Sequence, residues 1–197
     1  MNRQVSRKEI YRYLGYGKDV PDPEIQELVE KTVDELQACS FRSIQKSYTI
    51  DLLTEDEIRF ADVHIHSKDL GKNLKNCTKC VCMAATLGPL PDRLIQRAKI
   101  MDLSKAVVLQ AVGCALIEAY VDQINEQIRQ EAHDQGYICH ARYSCGYGDF
   151  DLNHQKDFIR LLEMPKTIGV SLTKGNLMVP NKSVTAVIGW EKKGDRL

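Results

Sequence analysis

The chain has no excess charge of either sign: 27 lysines and arginines balance 27 aspartates and glutamates over 197 residues. That balance removes the usual electrostatic reason to expect nucleic acid or an anionic membrane surface as a partner. No run of 18 or more apolar residues occurs, so no membrane span is expected. The opening residues, MNRQVSRKEIYRYLG, lack an apolar core segment and do not read as a signal peptide. Internal repeats and low-complexity tracts are absent. So are a P-loop, a GxGxxG run and a serine nucleophile elbow, the common sequence signs of phosphate, dinucleotide and acyl-transfer chemistry. Cysteine, by contrast, is not scarce. Seven is an odd number, and without a secretory signal these residues read as free thiols in a reducing, cytoplasmic setting.

What is present is enough for one domain with a substantial core, spanning residues 1–197. Its N-terminal part, 1–103, mixes helices and strands. Residues 5–14 read as a short polar helix. Asp22-Pro23 marks a helix start that carries Ile25, Leu28, Val29, Val33 and Leu36 at helical spacing to about Cys39. Tyr48, Ile50 and Leu52 alternate as in a strand, as do residues 60–66. Ser67 can cap a short helix through Asn76. Val81–Leu87 reads as a buried strand broken by Gly88-Pro89. Pro91–Met101 is expected to be helical. Ser104 then caps the longest helix, about 105–135, ended by Gly136. Leu152–Leu162 is amphipathic, and strands are expected at 168–173, 177–179 and 184–190. This order, with no regular βαβ alternation, predicts an α+β fold with a mixed, largely antiparallel sheet and packed helices.

The densest chemical signal is Arg142-Tyr143-Ser144-Cys145-Gly146-Tyr147-Gly148-Asp149-Phe150. Arginine offers a planar fork matched to a carboxylate. Glycine allows close backbone approach. Tyrosine offers a flat face with a polar tip. The combination suits a small ligand with a carboxylate and a flat ring. Glu118 is the second signal. Its helical neighbours Cys114, Ala115 and Val121 make a small, apolar face, so the expectation is a buried carboxylate in need of a cation. Asp122, one turn on, sharpens that need. Two readings stand side by side: an ion pair from Glu118 to Arg142 that ties helix to strand, or a clamp for a ligand's amino group or sulfonium.

Cys77, Cys80 and Cys82 have metal-like spacing. A strand through Val81–Ala85 would instead make Cys80 and Cys82 small core residues on one face, and this reading is preferred. His64 and His66, at i and i+2, could bind a metal, although such pairs are more often solvated. His154 follows the glycine–tyrosine turn closely enough to be considered for catalysis. No catalytic or metal residue is assigned from the sequence.

In order and spacing, several pieces resemble the activation domain of vitamin B12-dependent methionine synthase. They are Arg-x-x-x-Gly-Tyr, a helix ending in Leu161-Leu162, then Ile168-Gly169-Val170-x-Leu172-Thr173, then Met178-x-Pro180-x-x-Ser183-Val184, with Leu116-Ile117-Glu118-Ala119-Tyr120 upstream. The likeness covers about residues 104–188, and Ala84–Gly88 is similar to short, free-standing members. It implies a mixed α/β fold that binds S-adenosylmethionine. It also implies a part in the reductive methylation of inactive cob(II)alamin on a separate methionine synthase, which restores methylcobalamin for methionine biosynthesis. The implied partners are that synthase or another corrinoid protein, and a flavodoxin- or ferredoxin-type electron donor. Carried onto this sequence, Arg142 would hold the ligand carboxylate and Tyr147 would lie beside the adenosine. Backbone around Ser144 and Gly146 would complete the adenine side, and Glu118, with Asp122 beside it, would face the amino group. Cys145 replaces the family's proline and is expected to loosen the turn or bring a thiol near the corrinoid. The chain stops at Leu197, before the aromatic residues that close the site in long members. No Asp-x-His-x-x-Gly occurs, so any cobalamin is expected on a partner. The rival reading is a docking or scaffold protein for a corrinoid protein and its electron donor. A third is a metal or redox protein built on Cys77, Cys80 and Cys82.

Overall fold

A computed structural model describes residues 5–194; Leu197 and the first four residues of the opening segment lie outside that range. Two short helices come first, α1 (Arg7–Tyr13) and α2 (Pro23–Leu36), followed by strands β1 (Arg42–Leu53), β2 (Glu57–Phe60) and β3 (Val63–His66). Helix α3 (Lys68–Asn73), strand β4 (Cys77–Thr86), helix α4 (Leu90–Met101) and the long helix α5 (Leu103–Asp134) lead into β5 (Tyr137–Cys139). A 3-10 turn at Leu152–His154 opens α6 (Gln155–Leu161). Then come α7 (Met164–Thr167), β6 (Ser171–Leu172), β7 (Met178–Val179) and β8 (Ser183–Lys192). Six strands form one sheet in the order β3-β2-β1-β4-β8-β5, every pair antiparallel, and β6–β7 make a separate ribbon. The α+β expectation holds.

The two central strands explain the layering. β4 pairs with β8 so that Val81 lies opposite Ile188 and Met83 opposite Ala186. These side chains enter a core with Ile10 of α1, Val29 and Val33 of α2, Ile95 of α4, and Val112, Leu116 and Ile124 of α5. The alternate residues Cys80, Cys82, Ala84 and Val187 point to the other face. There they meet Phe60, Leu70, Phe150, Phe158 and Met164. Both strands are therefore buried on both faces, which is why β4 reads as a continuous apolar run. α5 is long and apolar enough by composition to cross a membrane, but more than half of that stretch is buried against the sheet and its neighbouring helices.

Several local expectations are corrected. Asp102, not Ser104, caps α5: its Oδ1 accepts from Lys105 N at 3.0 Å, while Ser104 already lies inside the helix. Asp102 also follows the last residue of α4 in extended backbone, so one residue turns the chain between the two helices. Asp22 stands at the start of α2 without a side-chain cap, and its carbonyl accepts from Ile25 and Gln26 instead. Residues 60–66 are two strands, not one. The chain reverses at Ala61-Asp62, with Ala61 at φ 50°, so that Phe60 and Val63 face each other in the core. The expected strand at 168–173 shrinks to Ser171–Leu172. Pro165 sits in the first turn of α7, and Met164 O accepts from both Ile168 N and Val170 N, which closes a turn where a strand would need open carbonyls.

Candidate functional site

Arg142 leaves the end of β5 on backbone that runs beside β8. His140 N donates to Gly189 O at 2.9 Å, and Tyr143 and Val187 exchange hydrogen bonds at 2.9 and 2.8 Å. Tyr143 turns to the Phe150 side, where the two rings stack with centroids 6.4 Å apart. Arg142 reaches α5. Its Nη1 donates to Asp122 Oδ1 at 2.5 Å and its Nη2 to Glu118 Oε2 at 2.8 Å. The two acids, one turn apart on the helix, thus share one fork. The meeting of Glu118 with Arg142 is as expected, but the burial is not. Glu118 keeps 44% of its side-chain surface and Asp122 67%, against 28% for Arg142. Ala115 and Leu116 form the buried side of that turn, and Glu118 sits at the margin of the apolar stripe. Its carboxylate therefore does not carry the desolvation cost that the helical pattern suggested.

After Tyr143 the chain folds into a tight turn: Gly146 N donates to Phe150 O at 2.7 Å and Phe150 N to Tyr147 O at 3.0 Å. Gly148 adopts φ +54°, and a Cβ there would fall 2.1 Å from Asp69 Oδ2 and 2.6 Å from the Tyr143 hydroxyl. Only glycine fits. Asp149 locks the turn to α3: Ser67 Oγ donates to its carboxylate, as do the backbone N–H groups of Lys68 at 2.8 Å and Asp69 at 3.2 Å. Ser67 in turn accepts from Leu70 N at 3.0 Å, so the expected Ser67 cap is present and is extended by a second acid. The hydrogen bond from Ser67, then those from the backbone N–H groups, hold the Asp149 carboxyl below its ordinary pKa against a smaller opposing effect of burial. The back of the segment is thus fixed, while Tyr147 stands out from it with its ring exposed.

Glu118, Arg142, Ser144 and Tyr147 line one half-open groove of about 540 Å³. That lies within the usual range for small-ligand sites. Gly146 shapes the turn, and Asp122 holds Arg142, but neither is among the groove's lining residues. Gln155 and Thr185, which the sequence reading missed, complete the floor. Both are buried, and Thr185 Oγ1 donates to Gln155 Oε1 at 2.9 Å, so Gln155 has amide N–H groups to offer a ligand. Nothing in the sequence pattern marks a glutamine at the start of a helix as unusual. A larger cavity, about 670 Å³, lies between α4 and α5 and is lined by Ile95, Leu103, Val107 and Cys114 among others. A small one of about 250 Å³ shares Glu118 and Ser183 with the groove, and Tyr13 and Cys114 with the larger cavity. Size favours the α4–α5 cavity. Chemistry favours the groove over that cavity, because a guanidinium, a carboxylate, an amide and an exposed ring converge in it.

The cysteine expectations resolve in favour of packing. Cys80 and Cys82 share the buried face opposite Val81, and Cys77 joins the same core. Burial pushes the Cys77 thiol up to about 12, and Cys82 is also raised, first by its hydrogen bond with Cys80 and then by burial. Cys145 packs into the same core and also lines the groove, and burial pushes its thiol up to about 12. His154 hydrogen-bonds Asp157 at 2.8 Å and packs on Phe150, a structural tie at the start of α6.

The site is thus defined by one arginine fork held by two helix carboxylates at the margin of a half-open groove in an α+β protein. Residues 65–195, well over half of the chain, match the family model for the vitamin B12-dependent methionine synthase activation domain, and the chain belongs to that family. A solved structure described as the MetH reactivation domain bound to AdoHcy has the same fold, with a TM-score of 0.73. It is 16% identical, and the match covers 98% of this chain and 76% of that one. No curated protein sequence matches the chain significantly.

Proposed function

We propose that this chain binds S-adenosylmethionine in the groove at Arg142 and supports reductive methylation of inactive cob(II)alamin on a separate methionine synthase. The observation that carries the reading is the fork of Arg142, shared by Glu118 and Asp122 at the groove's edge. The amino-acid end of S-adenosylmethionine is a zwitterion. Its carboxylate suits the guanidinium fork, and its ammonium suits the acid that the fork releases, so the internal ion pair is exchanged for two charge-assisted ones. The sulfonium gains from the acidic margin of α5. Tyr147 offers its exposed ring to the adenosine, with the backbone at Ser144 and the turn at Gly146 beside it. Family membership and the AdoHcy named with the structural relative support this choice of ligand, since AdoHcy is S-adenosylmethionine without its transferable methyl group.

The chain's own contribution is orientation and exclusion of water rather than acid–base chemistry. The cobalamin belongs to a partner, a cobalamin-carrying methionine synthase or another corrinoid protein, and supplies the metal that accepts the methyl group. The electron comes from a flavodoxin- or ferredoxin-type donor, and the setting is cytoplasmic methionine biosynthesis.

A second reading has one observation in its favour: the Arg142 fork is already filled by the protein's own acids. On that reading the chain is a docking protein for a corrinoid protein and its electron donor and takes no ligand itself. A reactivation assay separates the two. Cob(II)alamin-loaded synthase, reductant and S-adenosylmethionine are mixed with the wild-type chain, with Arg142→Ala, or with neither. Methylcobalamin, followed by absorbance, is expected with the wild type alone. Equal activity with Arg142→Ala would favour docking, and equal activity with no added chain would refute both readings.

A further inference from the structure

The sheet edge formed by β3, at the opposite end of the strand order from β5, carries a second chemical arrangement. β2 and β3 pair so that Glu57 lies directly opposite His66, and Arg59 opposite His64. The alternate residues Ile58, Phe60, Val63 and Ile65 are all buried in the core. Slipping the register by one residue would turn that apolar set to solvent, so the pairing is strongly fixed. Glu57, His64 and His66 are thereby held together on the outer face. The hairpin's open end is also tied: Glu57 N donates to Thr54 Oγ1 at 2.9 Å and Ser67 N to Asp56 O at 2.9 Å.

The spacing of the three side chains is that of metal ligands. His64 Nε2 lies 3.9 Å from one Glu57 oxygen and His66 Nδ1 lies 3.8 Å from the other. One ligand atom from each residue can be chosen so that all three fall within 4.8 Å of one another, and the two imidazole rings are 4.5 Å apart. These gaps are too long for hydrogen bonds, so the three groups do not satisfy one another. Ligands about 2.1 Å from a tetrahedral zinc ion stand about 3.4 Å apart, so drawing in separations of up to 4.8 Å takes roughly 1 Å of side-chain movement.

We propose that Glu57, His64 and His66 form a binding site for a divalent d-block metal ion, with zinc the best fit. Two imidazoles and one carboxylate suit zinc, copper or nickel better than calcium or magnesium, which require a shell of oxygens. Arg59 shares the face and adds a positive charge, so the site depends on directed imidazole bonds rather than on accumulated negative charge. The fourth position is left to water or to a group from another molecule. A bound ion cross-links β2 to β3 and stiffens the exposed edge of the sheet.

Calorimetric titration of Zn²⁺ into the intact chain, with a phosphine reductant to keep the thiols free, tests the site. A Co²⁺ titration followed by visible absorption reports the ligand type. One equivalent should bind with nitrogen and oxygen ligation and no thiolate-to-cobalt band. His64→Ala and His66→Ala should each weaken it at least about tenfold. Zn²⁺ should raise the melting temperature of the wild type and leave that of the double variant unmoved. All three ligands point outward, and circular dichroism checks that the variants fold. A thiolate band, unchanged affinity in the double variant, or no binding at about 100 μM Zn²⁺ would each overturn the proposal.

Discussion

His140 and Arg142 lie two residues apart on the same run of backbone, each is basic, and each faces carboxylate, yet they do different things. His140 is enclosed. Its Nδ1 lies 2.6 Å from Asn73 O and its Nε2 lies 2.9 Å from Glu191 Oε2, with side-chain exposures of 21% for the histidine and 6% for the acid. It ties the end of α3 to β8. Arg142 meets acids that are 44% and 67% exposed, at the margin of a groove. Both contacts join a nitrogen base to a carboxylate; the access of that carboxylate to solvent differs. A closed pair can only hold the fold, whereas an open one can exchange its partner for a ligand. On the proposed reading the closed contact is a strut and the open one is the ligand site.

That contrast is breakable by substitution. The largest stability effect is expected from His140→Ala, which leaves Glu191 buried without this partner. Urea unfolding should show a loss of about 3 kcal/mol with ligand affinity in the groove unchanged. Arg142→Ala should behave in the opposite way. Its exposed ion pairs contribute under about 1 kcal/mol to folding, but S-adenosylmethionine affinity should fall by about 2 kcal/mol, roughly thirtyfold, in calorimetry. Equal stability losses in the two variants would erase the distinction. Tyr147→Ala should leave stability within about 0.5 kcal/mol while weakening binding by about 1 kcal/mol, roughly fivefold, through the loss of ring contact. The smallest effect concerns the anchor behind the groove. The Asp149 carboxyl is held below its ordinary range, so its stabilisation is present above the unfolded value of about 3.9 and fades as pH falls through the folded one. Asp149→Asn should therefore be less stable than the wild type at pH 6, and the gap should narrow by pH 3 in chemical denaturation.

The same contrast shows where sequence reasoning succeeds. Helix α5, the buried strand β4 and the Ser67 cap follow from periodicity, apolar runs and capping chemistry, all of which act within a few residues. Arg142 and Glu118 were legible as partners because a helix acid on an apolar face and a following arginine leave few alternatives. Exposure was not legible. Whether Glu118 faces core or groove depends on how the backbone of β5 and the 140–143 run lies against α5, and helical spacing does not carry that. Gln155 and Thr185 reach the groove from elements that come together only when β8 joins the sheet. The His140–Glu191 tie joins residues 51 positions apart. The hairpin at Ala61-Asp62 was hidden because its two strands continue one alternating pattern through the turn. In each case the missing information is tertiary.

The central claim is that the open arginine fork is a ligand site. It is tested most directly by titrating S-adenosylmethionine into the wild type, Arg142→Ala and His140→Ala under one set of conditions. The account predicts one binding event in the wild type, retained in His140→Ala and lost or weakened about thirtyfold in Arg142→Ala. Binding that is indifferent to Arg142, or no binding by the wild type at millimolar ligand, would contradict it.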